Sequence, residues 1–238
     1  TGVGVGSEKA YKYCIKHNKP MAVVVNQLDK EHANFAKAFE DIKEKFGAAA
    51  TAMQIPLMNG EKLKGYIDVL KGKAYEYGDK AALNEVDIPS DLQSLFEDCR
   101  EQLIENAAAN DDELMEKYFE GEEISIKEIE SGLYAGILTQ DVIPVFAASA
   151  AKNHGVISLL DELVIYMPTA DKGKPFKALV GDAEEEIAID KKGEFAAQVL
   201  KTIADPFLGK ISIIKVIRGE LSASTSVINM QTGKGEKF

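Results

Sequence analysis

Two polar side chains follow a short apolar run near the start of the chain. Asn26 and Asp29 come directly after Met21–Val25, a valine-rich run that predicts a fully buried parallel strand. In open α/β sheets, ligands gather at the carboxyl ends of the strands, so these side chains stand where a ligand is expected. The Asp29 carboxylate can accept two neighbouring N–H donors from one ring, and the Asn26 amide can meet another edge of that ring. The same pair can also simply cap a turn, and this alternative stays open.

A second polar loop follows a later apolar run. Val142–Phe146 predicts another buried strand, although a proline at position 144 is unusual in a strand interior. Ser149, Ala150 and Ala151 come after this run, about 120 residues beyond the first loop. Small residues at this point are also common where a strand simply turns into a helix, and this alternative stays open. The order of the two loops, each after a buried strand, favours a shared ligand site.

Both loops resemble the base-reading motifs of GTPases. Asn26, Gln27 and Asp29 match the spacing of N-K-x-D, in which the Asp accepts the ring and exocyclic N–H groups of guanine. Ser149–Ala151 resembles the S-A-x motif, whose backbone N–H groups face the guanine carbonyl oxygen. Gln27 stands where the motif has Lys, whose aliphatic stem covers the base and whose ammonium braces the phosphate loop. Since Gln is shorter and uncharged, weaker nucleotide binding is expected.

The elements around these loops predict an α/β domain with an insertion. The first half of the pattern indicates a helix over 7–17 capped by Ser7 and a helix over 31–46 that ends before Gly47. The apolar face of the second helix consists of Phe35, Phe39, Ile42 and Phe46. Short strands are predicted over 51–57, 62–70 and 73–77, with turns at Asn59-Gly60 and Lys71-Gly72.

The second half of the chain predicts helices first and antiparallel strands after them. A helix-rich stretch runs from Pro89 to about Gln140, with a break near Gly121 and caps at Ser90 and Ser125. A further helix is predicted over 154–166, followed by a polar linker over 169–193. The remaining apolar runs indicate strands of an antiparallel barrel at 195–203, 211–216 and 225–228.

Longer stretches resemble the bacterial elongation factor G family in collinear order. The segment at 26–35 reads NQLDKEHANF, where the family has NKMDR followed by GANF. The insertion hairpin of the family is similar to LKGYIDVLKGKAYEY, and its helical continuation to the segment from Ile88 to Ser125. The start of its second domain is similar to ADPFLGKISIIKVIRGEL. The chain is identified on these grounds as an internal fragment of such a translational GTPase.

The resemblance implies a domain organisation. It predicts an α/β fold, namely a partial P-loop GTPase G domain with an inserted α+β subdomain, followed by the first strands of an antiparallel β-barrel domain. The latter part of the G domain would be 1–48 with the guanine-specificity loop, and the inserted subdomain 49–125. The end of the G domain would be 126–170, and 171–238 would hold a linker and the start of domain II.

The resemblance also implies a function for the parent protein. It predicts a cytoplasmic GTP hydrolase that uses GTP, GDP and Mg²⁺ and promotes translocation on the ribosome during protein biosynthesis. The inserted subdomain would contact the ribosomal stalk protein. Nucleotide-binding residues carry over to Asn26, Gln27, Asp29, Ser149, Ala150 and Ala151. Two rival functions stay open: a nucleotide-independent ribosome-interaction scaffold, and a ribosome-protection or recycling paralogue.

The 238 residues contain no G-x-x-x-x-G-K-[ST] phosphate loop, and the glycine-rich start at 2–6 lacks the required Lys-Ser or Lys-Thr. Phosphoryl transfer depends on that loop and on the switch segments that hold magnesium. No catalytic residue is therefore expected here, and we expect these residues alone to be inactive, with neither GTP nor Mg²⁺ bound. His and Cys spacing predicts no metal site either.

Composition excludes several other classes. A net charge of −11 argues against direct nucleic-acid binding, and no apolar run is long enough to span a membrane. Two distant cysteines fit a reducing cytoplasm rather than a disulfide framework. Eleven acidic residues and only two lysines lie between Glu101 and Glu130. This acidic stretch is either a solvated helical face or a docking surface for a basic partner.

Overall fold

The chain forms two compact units, Thr1–Met167 and Pro168–Phe238, which are described separately. The computed structural model describes residues 2–60, 62–78, 82–181, 183–223 and 225–237. Within these ranges, no helix combines the length and the apolar character that a membrane crossing requires.

The first unit alternates helices and strands. Its helices are α1 Val5–Lys16, α2 Phe35–Phe46, α3 Gln93–Ala108, α4 Asp112–Glu120, α5 Ile126–Thr139 and α6 Val156–Tyr166. Its strands are β1 Val23–Val25, β2 Ala50–Ala52, β3 Gln54–Asn59, β4 Lys62–Asp68, β5 Lys73–Tyr77, β6 Leu83–Val86 and β7 Ile143–Ala147. The predicted α/β class is confirmed.

A parallel sheet in the order β1-β7-β2 carries the loops of interest. Strand β7 lies at its centre and is buried along its whole length, as predicted. Successive backbone N–H groups of a strand point to opposite sides. The Ile143 N–H donates towards β2, so the ring nitrogen of Pro144 faces β1. Pairing with β1 starts only at Val145, so Pro144 breaks no ladder bond.

Strand β1 corrects one prediction. It was expected to be fully buried, but it lies at the edge of the described sheet, and Val24 is 39% exposed. A valine-rich run fits an edge position as well as a central one, because strand propensity does not report the number of neighbouring strands.

Helix α2 confirms its predicted apolar face, since Phe35, Phe39, Ile42 and Phe46 are all buried. It begins four residues later than predicted. Asn34 is its N-cap, accepting a hydrogen bond from the Lys37 N–H at 2.9 Å. His32 has a φ of 62°, which excludes it from a right-handed helix.

Caps elsewhere are confirmed in part. Ser125 caps α5 in a reciprocal capping box with Glu128, and Gly121 ends α4 with a φ of 68°. The predicted caps at Ser7 and Ser90 are wrong. Helix α1 starts after Gly4 and α3 after Leu92, without a side-chain cap in either case. A serine near a predicted helix start therefore does not identify the N-cap by itself, because the helix can begin before or after it.

The strand predicted over 51–57 is two strands in two sheets. Ala50–Ala52 pairs with β7 in the parallel sheet, whereas Gln54–Asn59 starts an antiparallel sheet in the order β3-β4-β5-β6. Met53 joins the sheets: its N–H donates to the Val145 carbonyl at 2.9 Å, and its carbonyl accepts from Val69 at 3.0 Å. The short strand Leu83–Val86 was not predicted, because it has only four residues and two of them are polar.

The second unit consists of antiparallel hairpins, which confirms the predicted strand type. Its strands are β8 Phe176–Val180, β9 Ala183–Ile187, β10 Ala196–Asp205, β11 Gly209–Arg218, β12 Ser226–Asn229 and β13 Lys234–Lys237. The linker predicted over 169–193 instead contains the β8–β9 hairpin. Oppositely charged side chains pair across its strands, such as Lys177 with Glu184 at 3.6 Å, as expected of an exposed hairpin. The polarity of such a hairpin resembles that of a loop, which explains the wrong prediction.

Candidate functional site

The parallel pairing of β1 with β7 brings the two predicted loops to one edge of the sheet. Val25 and Ala147, the last residues of the strands, are in register. The Ala148 N–H then donates to the Val25 carbonyl at 3.0 Å, so the pairing continues into the loops. The sequence-predicted residues at 26–29 and 149–151 therefore lie together, at the carboxyl ends of neighbouring strands.

The first loop is held by one apolar side chain. Leu28 is 2% exposed and packs in the core, and its N–H donates to the Ala148 carbonyl at 3.4 Å. Gln27 adopts a φ of 63°, a left-handed conformation that lets the chain turn so that Leu28 points inward. Asn26 and Gln27 are exposed, whereas Asp29 is half-buried. The loop thus presents polar groups to solvent while Leu28 anchors it in the core.

Asp29 is oriented by the second loop. The hydroxyl of Ser149, a residue with no exposed surface, donates to Oδ1 of Asp29 at 2.5 Å. This hydrogen bond is the main reason that the pKa of Asp29 is lowered, and the charges of Lys30 and Lys152 act in the same direction. The backbone N–H of Asp29 also favours the ionised form. The carboxylate is therefore ionised at neutral pH, fixed through one oxygen and able to accept through the other.

Asn26 makes a second link between the loops. Its Oδ1 accepts a hydrogen bond from the Ala150 N–H at 3.0 Å, which leaves Nδ2 of the amide as a donor. The resemblance to GTPases assigned that Ala150 N–H to a ligand carbonyl, but the structure pairs it with Asn26. The exposed Ala151 lies in the same 3₁₀ turn, Ala150–Lys152, and its N–H is the neighbouring candidate donor.

The second loop closes on itself through residues that the sequence did not single out. Ser149 and His154 exchange two backbone hydrogen bonds of 2.9 and 3.0 Å. Gly155 follows with a φ of 75°, and a Cβ there would lie 2.8 Å from the Ala147 carbonyl oxygen. The His154 ring stacks on Tyr77 of strand β5, with ring centroids 5.0 Å apart. The glycine at the start of α6 was the available signal for this close approach.

A metal site of the protein's own would need several donor side chains close together. No group of three or more His, Cys, Asp or Glu side chains that could hold a metal occurs in the parts of the chain that the structure describes. Mg²⁺ takes its ligands from carboxylate and phosphate oxygens, and near the two loops Asp29 already engages one oxygen with Ser149. Since Mg²⁺ is usually held by one or two carboxylates together with phosphate oxygens, Asp29 supplies one remaining carboxylate oxygen for the Mg²⁺ that the resemblance implies.

The parallel sheet and its helices form an α/β domain, with the two joined loops at the carboxyl ends of neighbouring strands. The chain belongs to the family described as elongation factor Tu GTP binding domain, whose sequence model matches residues 1–169. It is thus part of a translational GTPase, which confirms the coarser level of the sequence-based prediction.

A solved structure supports the same fold. The crystal structure of ttk003000868 from Thermus thermophilus is similar to this chain with a TM-score of 0.76 and 28% sequence identity. The match covers 95% of this chain and 31% of that chain, so the present residues span about a third of the length of this relative. The similarity extends through both units.

Proposed function

We propose that this chain supplies the guanine-reading half of the GTP site in a translation factor of the elongation factor G type. The observation that carries the proposal is the hydrogen bond from Ser149 to Asp29, joined by that from Ala150 to Asn26. Together they fix a carboxylate and an amide at the ligand-binding edge of the sheet, in the arrangement that reading one purine requires.

Each group has a role in this proposal. Oδ2 of Asp29, with the remaining lone pair of Oδ1, accepts the ring and exocyclic N–H groups of guanine. Nδ2 of Asn26 donates to an acceptor on the other edge of the base, because its Oδ1 is occupied. The N–H of Ala151 donates to the guanine carbonyl oxygen. Adenine presents neither the ring N–H nor the carbonyl, so it would leave these groups unpaired.

Gln27 sets the expected strength of binding. It is exposed and its loop conformation turns it away from the core, as a residue that covers a base would be. Its uncharged amide cannot brace a phosphate loop as an ammonium does. We therefore propose weaker nucleotide binding than in factors that carry lysine at this position.

The parent protein would bind GTP and GDP with Mg²⁺, hydrolyse GTP and promote translocation on the ribosome in the cytoplasm. The division into 1–48, 49–125, 126–170 and 171–238 remains part of this proposal. So does a stalk-protein contact through the inserted subdomain, without direct nucleic-acid binding. Gln27 also favours a second candidate, a nucleotide-independent ribosome-interaction scaffold in which the site has decayed.

Amide chemical-shift titrations of residues 1–238 with nucleosides test the proposal, because a high nucleoside concentration reveals base contacts that are too weak to retain GTP without the phosphate loop. Guanosine should perturb the amides of 26–29 and 149–153, whereas adenosine at equal concentration should not. Equal shifts with both nucleosides, or none with either, would support the scaffold instead. Xanthosine is the sharper control, because it retains the guanine carbonyl but replaces the exocyclic amine by an acceptor.

A further inference from the structure

A cleft of about 440 Å³ lies within the first unit, between the antiparallel sheet β3-β4-β5-β6 and helix α6. Strands β4 and β5 form one wall, and the loop 152–155 with helix α6 forms the other. Residues 26–29 are not among its described lining. The cleft is therefore separate from the proposed guanine site, although it shares the second loop with it.

The inner part of this cleft carries more negative than positive charge. Asp68 is 4% exposed and the Glu162 side chain 12%, and both face the single ammonium of Lys71. Lys71 lies 2.8 Å from Asp68 but 3.8 Å from Glu162, so it pairs closely with only one carboxylate. Asp161 and Lys152 are both exposed and lie at the outer part of the cleft.

Glu162 is correspondingly short of a counter-charge. Burial raises the pKa of its carboxyl to about 7, and the negative charge of Asp68 adds to this shift. Lys71 opposes the shift but does not cancel it. A second cation beside Glu162 would stabilise its ionised form, which identifies the chemical character of the missing partner.

Aromatic rings form the rest of the wall. The Tyr66 ring centroid lies 5.6 Å from that of Tyr75 and 6.1 Å from that of Tyr77. Tyr77 stacks in turn on His154. The buried hydroxyl of Tyr77 has no hydrogen-bond partner among the described residues. Aromatic faces attract cations and planar groups, and a buried hydroxyl without a partner is unfavourable until a ligand or a small ring movement supplies one.

We propose that this cleft binds an organic amine, with a single ammonium group at Glu162 and a planar apolar body against the tyrosine wall. The volume falls within the range of about 300 to 1,000 Å³ that is usual for small-molecule sites. The ammonium completes the charge balance of Glu162 beside Asp68, and the rings supply the apolar contact. The proposal stands independently of guanine recognition.

Tyramine is a suitable probe, because it joins one ammonium to one phenol ring. Binding to residues 1–238 is measured by amide chemical shifts at about pH 8, above the pKa of Glu162. Tyramine should shift the amide signals of His154, Gly155 and Ser158, and these shifts should saturate as its concentration rises. The neutral analogue 4-ethylphenol and the anion 3-(4-hydroxyphenyl)propionate should bind at least about tenfold more weakly, because neither supplies a cation.

Two variants locate the ammonium. Glu162→Gln should weaken tyramine binding about tenfold or more, whereas the exposed Glu116→Gln should leave it unchanged. Equal losses in both variants, or 4-ethylphenol binding as tightly as tyramine, would overturn the proposal. So would the absence of saturable shifts at about 10 mM tyramine. The comparison of the three ligands needs no variant, so the proposal stays testable even if Glu162→Gln does not fold.

Discussion

Replacement of Gly155 by alanine tests whether close packing behind the second loop holds the site. Gly155 has a φ of 75°, and an added Cβ would lie 2.8 Å from the backbone carbonyl oxygen of Ala147 and 2.9 Å from the Tyr77 hydroxyl oxygen. The first of these atoms belongs to the central strand of the parallel sheet and cannot move aside without disturbing that sheet. The loop 149–155 must therefore shift if it is to accommodate the methyl group.

Gly121 offers a matched control. It has a similar φ of 68°, but a Cβ there would meet nothing within 4 Å. Both alanines incur the strain of a left-handed backbone, about 1–2 kcal/mol. Gly155→Ala adds a steric cost of about 1–3 kcal/mol, typical of an overpacked site. The difference between the two variants isolates the close approach from the backbone strain.

Urea unfolding followed by tyrosine fluorescence measures this difference. The sequence has eight tyrosines and no tryptophan, and all eight tyrosines lie before Pro168, so the signal reports the first unit alone. Gly155→Ala should lower the free energy of unfolding by about 1–3 kcal/mol more than Gly121→Ala, and should weaken the guanosine-induced shifts. Equal losses of stability in the two variants would refute the packing argument.

Three further predictions concern other parts of the chain. Glu162 has its pKa raised to about 7 in the folded state, so between about pH 4.5 and 7 the native state binds more protons and its stability should fall as the pH rises. The loss should be roughly 3 kcal/mol at most, and Glu162→Gln should flatten the pH profile of tyrosine-detected unfolding. In the acidic stretch Glu101–Glu130, reversing the charge of four exposed residues should slow the association of the parent protein with ribosomes, measured by stopped-flow binding at low salt. The dissociation rate should stay nearly unchanged, because electrostatic steering acts on the association rate. The four are Asp111, Asp112, Glu113 and Glu116. An undiminished association rate would leave the stretch a solvated face. Finally, residues 1–238 should show no steady-state GTP turnover above a buffer blank, and turnover that is lost on mutating Asp29 would contradict this expectation.

The sequence was most informative where the apolar periodicity of an element agrees with the residues that cap or end it. The apolar face of α2 and the glycine after it are fixed by helical spacing alone. The two loops could be placed because each follows a β-branched or apolar run, and parallel strands bring their carboxyl ends together. The hydrogen bonds that join the loops, from Ser149 to Asp29 and from Ala150 to Asn26, were not predicted, because they depend on the relative positions of two distant segments.

Errors arose where tertiary context decides the outcome. Nothing in residues 50–57 marks Met53 as the point where the chain leaves one sheet for another, because both strands have similar composition. The hairpin Phe176–Val180 with Ala183–Ile187 has the polarity of a linker, since its strands are stabilised by pairing rather than by burial. The roles of His154 and Tyr77 depend on a contact between distant segments, which no local pattern encodes.

The base preference of the Asp29→Asn variant tests the central claim most directly. The Ser149 hydroxyl donates to Oδ1 of Asp29, so it should hold an asparagine with Oδ1 towards Ser149 and Nδ2 towards the base. Nδ2 would then donate to the extra carbonyl of xanthine instead of accepting from guanine. Competition of GTP and XTP for the parent protein should show preference moving from guanine to xanthine, with Asp91→Asn as an exposed control that retains the guanine preference. Unchanged GTP preference in Asp29→Asn would contradict the assignment of Asp29 as the guanine-reading residue.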